Sequence, residues 1–258
     1  MSSHALITGG SSGIGLALAA RLAASGSNIT IIARKPEGLA AAKAAIGAKR
    51  RERAQSVLAL AADVTDEAAV TAAIQSAIGT LGPPDLLVTS AGMVIPGLFH
   101  DMPVAAFRST MEANYFGTLY AIRAVLPAMR TNRAGRIALI SSGAGLLGIY
   151  GLTAYSPTKF AVRGLAEALR SELAPDGIAV SVVYPPDTDT PQLHEEVRHR
   201  PPALAKIAGG AKVLSADAVA AAILNGIARK RFIIAPGLEM AALARLHSLI
   251  GPLLYRFW

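Results

Sequence analysis

The sequence predicts an α/β chain built on a doubly wound, mainly parallel sheet of seven strands with helices on both faces. Three observations carry this. Short apolar runs of strand length recur at 4–8, 28–33, 57–61, 84–89, 135–140, 178–183 and 231–235. Helical patterns separate them in alternation, which is the signature of parallel crossover units. The first run leads through a glycine-rich turn straight into a helix, the form in which such sheets present a ligand site. The 258 residues suffice for one large domain; we place it at 1–235 and leave 236–258 as an apolar tail.

Residues 4–8 form the first strand, and Thr8-Gly9-Gly10-Ser11-Ser12-Gly13-Ile14-Gly15 carries the chain into the helical pattern from Leu16. Glycine there permits positive φ and lets a phosphate approach backbone N–H groups at a helix N-terminus. The second strand, 28–33, ends at Arg34-Lys35, about 20 residues past the turn, where a dinucleotide's ribose is expected. An acid there would hydrogen-bond a free 2′-hydroxyl, whereas Arg34 suits a 2′-phosphate, so the sequence favours NADP over NAD. An alanine-rich helix follows from about Pro36 to Arg53, with Lys49-Arg50-Arg51-Glu52-Arg53 expected on its solvated face.

The third strand, 57–61, precedes Asp63-Val64 and a helix capped by Thr65 or Asp66. Asp63 is suited either to accept from an adenine amino group or to brace its own turn. The fourth run closes on Ser90-Ala91-Gly92, whose small side chains let a sugar come close. In the helix-rich stretch 103–130, Asn114 sits where asparagine is mildly unfavourable. It either holds water in a proton path or satisfies local backbone.

The fifth strand, 135–140, ends at Ser141-Ser142, placing hydroxyls at the carboxyl edge of the sheet. Next comes Tyr155-Ser156-Pro157-Thr158-Lys159, opening an apolar-periodic helix. Residues four apart share a helix face. A phenol with a pKa near ~10 is a poor acid at neutral pH, but a neighbouring ammonium favours the phenolate and lowers that value. After the sixth strand, Pro185, Pro186 and Pro191 forbid both strand pairing and an immediate helix. Residues 187–212 read as a lid over a substrate cleft or as a plain surface excursion. The tail, 238–258, mixes leucines with Arg245, His247 and Arg256 and ends in Trp258. It suits an interfacial amphipathic helix, or docking on the protein's own body or on a second subunit.

Composition narrows the chemistry further. No cysteine is present, which excludes disulfides, thiolate catalysis and cysteine-ligated zinc. The five histidines are scattered, and His194 and His199 enclose a segment without metal-ligand spacing; no metal is expected. The formal charge of +8 is spread along the chain without interleaved aromatics, so no nucleic-acid partner is expected. The first residues run directly into a strand rather than a signal-peptide pattern. We therefore expect a cytoplasmic protein, with peripheral contact at the inner face of a membrane through the tail.

Together, the glycine turn, Asp63, Ser90-Ala91-Gly92, Asn114, Ser142, Tyr155 and Lys159 resemble the short-chain dehydrogenase/reductase family over about 1–235. The resemblance implies a Rossmann-type fold and a catalytic set of Asn114, Ser142, Tyr155 and Lys159. It also implies NADP(H) held by Gly9, Ser11, Ser12, Gly13, Ile14, Gly15, Arg34, Lys35, Asp63, Val64, Ser90, Ala91, Gly92, Tyr155, Lys159, Pro185, Thr188 and Thr190. A dimer or tetramer formed through the helices near 103–130 and 153–175 is implied as well.

Tyr184-Pro185-Pro186-Asp187-Thr188-Asp189-Thr190-Pro191, Ser90-Ala91-Gly92-Met93 and Ile31-Ile32-Ala33-Arg34 are similar to the 3-ketodihydrosphingosine reductases. That similarity implies a hydrophobic, lipid-like ketone substrate, 3-ketosphinganine. Ser90 stands where asparagine is usual, Gly38 where eukaryotic members carry lysine, and Gln192 where a glycine follows Thr-Pro. Two other readings stay open: a reductase of a different hydrophobic ketone or alcohol, and a cofactor-binding scaffold without chemistry.

Overall fold

In the computed structural model, which describes residues 3–208 and 212–254, all seven expected strands enter one parallel sheet. They are β1 (His4–Thr8), β2 (Asn28–Ala33), β3 (Val57–Ala61), β4 (Leu86–Thr89), β5 (Gly135–Ile140), β6 (Ile178–Val183) and, after a separate two-stranded ribbon of β7 (Thr188–Asp189) and β8 (Leu214–Ser215), β9 (Ile233–Ile234). Their spatial order is β3-β2-β1-β4-β5-β6-β9. The order reverses between β1 and β4, and that is where an open parallel sheet forms its ligand crevice.

Strand side chains alternate between two buried layers, as a period of two requires. Leu6, Leu87, Ile137, Leu139 and Val182 face α3 (Glu67–Leu81), α5 (Gly117–Asn132) and α6 (Ser156–Leu173). Ala5, Ile7, Val88, Ala138 and Val183 face α1 (Gly13–Ala24), α2 (Pro36–Gly47) and α9 (Ala216–Ala228). With both faces covered, the strands read as continuous apolar runs rather than alternating ones.

Element ends depart from expectation for local reasons. β4 runs from Leu86, with the Asp85 N–H already donating to the His4 carbonyl and the Asp85 carbonyl accepting from the Arg136 N–H; Pro84 has no N–H to extend the ladder, and the Asp85 carboxylate accepts from the His4 N–H at 2.8 Å. β9 shrinks to two residues, although the Val182 and Tyr184 N–H groups still donate to the Phe232 and Ile234 carbonyls. Helix α2 stops at Gly47, so the basic cluster at 49–53 is not on a helix face as expected. It forms a turn in which the Arg50 guanidinium donates to the Gly47, Arg53 and Gln55 carbonyls. Asp66, not Thr65, caps α3 by accepting from the Ala69 N–H.

Between α4 (Val104–Met111) and α5, residues Glu112–Phe116 form a single π-helical turn, a wider winding that recurs at functional sites. The 187–212 excursion folds into β7, α7 (Pro191–Arg198) and α8 (Pro202–Ala208), and β7 pairs with β8 beyond it. The tail forms α10 (Leu238–Leu254). Its Met240 and Ala244 are buried in the core layer beside α6, while Leu238, Leu246 and Leu249 are exposed. Trp258 lies outside the described residues. Among the described residues no helix is long and apolar enough to cross a membrane.

Candidate active site

At the carboxyl ends of β1 and β4 the crevice opens into a cleft of about 1050 Å³. The glycine turn forms its floor. Gly9 has φ +70°, and a Cβ there would sit 2.6 Å from the backbone nitrogen of Ala91, so the turns after β1 and β4 approach closer than any side chain allows. Gly15 lies behind the cleft instead of in its wall; its Cβ would come within 2.3 Å of the Gly9 carbonyl oxygen, which locks α1 onto the turn. Ser11, Ser12, Gly13 and Ile14 line the cleft. Ser12 makes no side-chain cap, and no acidic side chain occupies the first turn of α1. The orphan N–H groups there, with the positive end of the helix dipole, fit a pyrophosphate.

One end of the cleft is basic and open. Arg34 and Lys35, between β2 and α2, line it together with Ala33 at the end of β2 and Gly38 in the first turn of α2. Arg34 reaches Asp63 at 3.7 Å. Of the two roles open to Asp63, the structure displays turn bracing, since its Oδ1 accepts from the Thr65 N–H and hydroxyl. Val64 is buried against Gly117 and shows only an edge to the cleft. Ser90, Ala91 and Gly92 form the wall after β4, and Pro185, Thr188 and Thr190 the wall after β6.

Toward the other end, Ser142, Tyr155 and Lys159 converge. Ser142 leaves β5 in extended conformation and accepts from the Ala144 N–H, which fixes its hydroxyl at the edge of the cleft. Tyr155 is the N-cap residue of α6, and Lys159 follows one turn later. The ammonium lies 5.5 Å from the centroid of the Tyr155 ring and donates to the Ile140 carbonyl at 3.0 Å.

Electrostatics here differ from the expectation. Burial pushes the Tyr155 phenol up, interaction with Ser142 opposes that, and the negative charges of Glu196 and Asp187 add to the rise. Burial brings Lys159 down to about 8. Desolvation is the largest cause for both groups, because burial weakens the charged form of each.

Asn114 does not line the cleft. It sits 1 % exposed in the π turn. Its Oδ1 accepts from the Met93 N–H at 2.8 Å, and its Nδ2 donates to the Met93 carbonyl and to Thr158 Oγ1, both at 2.9 Å. Of its two sequence roles, backbone satisfaction is the one displayed: it ties the segment after β4 to the first turn of α6, behind Tyr155.

Sequence reasoning missed a half-buried ion triad in the cleft wall. Arg200 bridges Asp187 at 3.0 Å and Glu196 at 2.8 Å, and its side chain is 8 % exposed. The four-residue spacing of Glu196 and Arg200 was the available signal. It was masked by neighbours that are solvated, His194 pairing with Asp189 and His199 with Glu195. Apolar walls from Leu147, Ile149, Leu152, Leu204, Met240 and Leu243 complete this end.

A family model described as "short chain dehydrogenase" matches residues 3–201. A "3-dehydrosphinganine reductase" from Danio rerio is 45% identical over 199 residues, covering 77% of this chain and 60% of the relative. A "3-ketodihydrosphingosine reductase" from Bos taurus is 41% identical over 230 residues, covering 89% of this chain and 69% of the relative. The chain thus spans 60% to 69% of the length of these two relatives. Among solved structures, a short-chain dehydrogenase from Sphingobium yanoikuyae in complex with NADPH superposes with a TM-score of 0.82 at 28% identity, covering 99% of this chain and 95% of that one. A match over most of the length, on a sheet whose crevice gathers the serine, tyrosine and lysine, has one outcome: the chain belongs to the short-chain dehydrogenase family.

Proposed function

We propose that this chain is an oxidoreductase that uses NADPH to reduce the ketone of 3-ketosphinganine, a long-chain 2-amino-3-ketone, to the alcohol of sphinganine. The observation that carries the reading is the convergence of Ser142, Tyr155 and Lys159 on an apolar-walled end of a cleft whose other end is basic. The names of the Danio rerio and Bos taurus relatives support the substrate, and the NADPH complex of the Sphingobium yanoikuyae protein supports the cofactor.

The residues present fit that cofactor. The opening turn of α1, with Ser11 and Ser12, would hold the pyrophosphate; Arg34 and Lys35 the 2′-phosphate; Ser90 to Gly92 and Lys159 the sugar nearest the chemistry. Bound there, NADPH supplies the hydride. Tyr155, kept protonated by burial, gives its proton to the carbonyl oxygen, and the Ser142 hydroxyl donates a hydrogen bond to the same atom. Both donors aim at charge that grows only in the transition state, which raises rate rather than affinity alone. Lys159 holds its ammonium beside the phenol, and Asn114, through Met93 and Thr158, positions the first turn of α6 behind Tyr155.

In this reading 1–235 carries the catalytic residues, with Met240 and Leu243 of α10 completing the cleft wall; 187–212 is the lid, and the exposed leucines of α10 make a peripheral contact with a membrane surface. Copies associate through α5 and α6.

The test is steady-state turnover of 3-ketosphinganine by the purified chain with NADPH and NADH in parallel, beside steroid, retinoid and acyl ketones. Preference for any of those ketones over 3-ketosphinganine would overturn the substrate. For the cofactor, Arg34→Ser is expected to raise the KM for NADPH by about tenfold or more with little change for NADH, since a charge-assisted contact to a 2′-phosphate is lost. Equal effects on both cofactors would place the 2′-phosphate elsewhere.

A further inference from the structure

We propose that Glu196 and Asp187, held apart by Arg200, form a subsite for the substrate's ammonium, the charge that separates a 2-amino-3-ketone from a plain long-chain ketone. The inference rests on the reading above and deepens it. All three side chains line the same cleft as Tyr155, and Glu196 and Asp187 lie near enough to act on its phenol. Two carboxylates face one guanidinium, so the triad carries a net single negative charge in a wall where Arg200 is 8%, Glu196 13% and Asp187 31% exposed. A latch that only fastened the lid would need one carboxylate per guanidinium, and the surplus is costly in a partly dehydrated wall.

The bonding within the triad leaves room for a cation. Arg200 donates through Nε to Glu196 Oε1 and through one terminal nitrogen to Asp187 Oδ2. Among the described residues, Glu196 Oε2 and Asp187 Oδ1 accept no hydrogen bond. An ammonium with three donors can use both. Of the cations in the cleft, Lys159 is spent on the Ile140 carbonyl, and Arg34 and Lys35 stand at the opposite end; Lys212 lines the cleft but is exposed. Glu112 and Glu239 also line it without belonging to the triad.

The placement has a consequence for the reaction. Glu196 and Asp187 both push the Tyr155 phenol away from its anionic form. A bound ammonium cancels their field, so the amine that is recognised also makes the proton donor a better acid. A ketone without the amine forgoes both effects.

Equilibrium binding separates this subsite from the proposed reaction, because it needs no turnover. With the full chain saturated in NADP, calorimetric titration compares a short-chain 2-amino-1,3-diol with the same 1,3-diol lacking the amine. The amine is expected to bind about tenfold tighter or more, the range of a charge-assisted hydrogen bond. Glu196→Gln, which keeps shape and removes one charge, is expected to erase most of that ratio while NADP affinity stays the same. Equal affinity of the two diols for the wild-type chain, or an unchanged ratio in Glu196→Gln with NADP still bound, overturns the subsite. Amine preference without turnover of 3-ketosphinganine would keep the subsite and overturn the reaction.

Discussion

Tyr155→Phe is expected to lower kcat for 3-ketosphinganine by at least about a thousandfold while NADPH still binds. The substitution removes one oxygen and keeps the ring, so α6 retains its N-terminal turn and Lys159 its aromatic neighbour 5.5 Å away. The reaction loses its proton donor, an effect of general acid catalysis worth roughly 10²–10⁴-fold, and one of two hydrogen bonds to the growing oxyanion. Ser142 remains, but its hydroxyl is anchored by the Ala144 N–H and is a far weaker acid. Because the lost interactions belong to the transition state, kcat and kcat/KM should fall together. Single-turnover kinetics at saturating NADPH measure the chemical step directly. Residual turnover within about tenfold of wild type would show that another group delivers the proton.

The parts of the molecule legible in the sequence are those set by short-range pattern. The strands could be read because both faces of the sheet are covered, which turns each into an unbroken apolar run such as Ile29 to Ile32. The glycine turn could be read because the close approach to Ala91 forbids any side chain at Gly9. What stayed hidden depends on partners far apart in the chain. Asn114 meets Met93 and Thr158, 21 and 44 residues away, and spacing alone left its two roles open. The pairing of Arg200 with Asp187 spans 13 residues across the lid, and no periodicity marks it. The direction in which Tyr155 moves is likewise invisible: the Tyr-Lys spacing implies a lowered phenol, and only the depth of the site shows desolvation winning. Alanine content overstates α2, which ends at Gly47, where the Arg50 guanidinium donates to the carbonyl.

Lys159→Met is expected to abolish useful turnover and at the same time to stabilise the protein at neutral pH. The lysine is 6% exposed, and burial brings its ammonium down to about 8 from 10.5. A charged form disfavoured in the folded state is a cost, so the folded chain binds this proton less tightly than the unfolded one does. At about 1.4 kcal/mol per unit, the cost is roughly 3 kcal/mol below pH 8. Methionine fills similar space without charge, though the Ile140 carbonyl loses a donor, which returns on the order of 1 kcal/mol or more. The net gain is about 1–2 kcal/mol.

The sign fixes the pH window. The penalty is complete below the folded value near 8, shrinks as pH rises from there, and vanishes above the unfolded value of 10.5, where lysine is neutral in both states. Urea unfolding of both proteins at pH 7 and pH 10 should therefore show the variant's advantage at the lower pH and little or none at the higher. A variant less stable than wild type at pH 7 would mean that the Ile140 carbonyl and the Tyr155 ring compensate the ammonium in full. The site would then carry no stored cost. If the advantage appears, a lysine that weakens the fold has been kept where methionine would strengthen it, as expected for a group held in place by its chemistry.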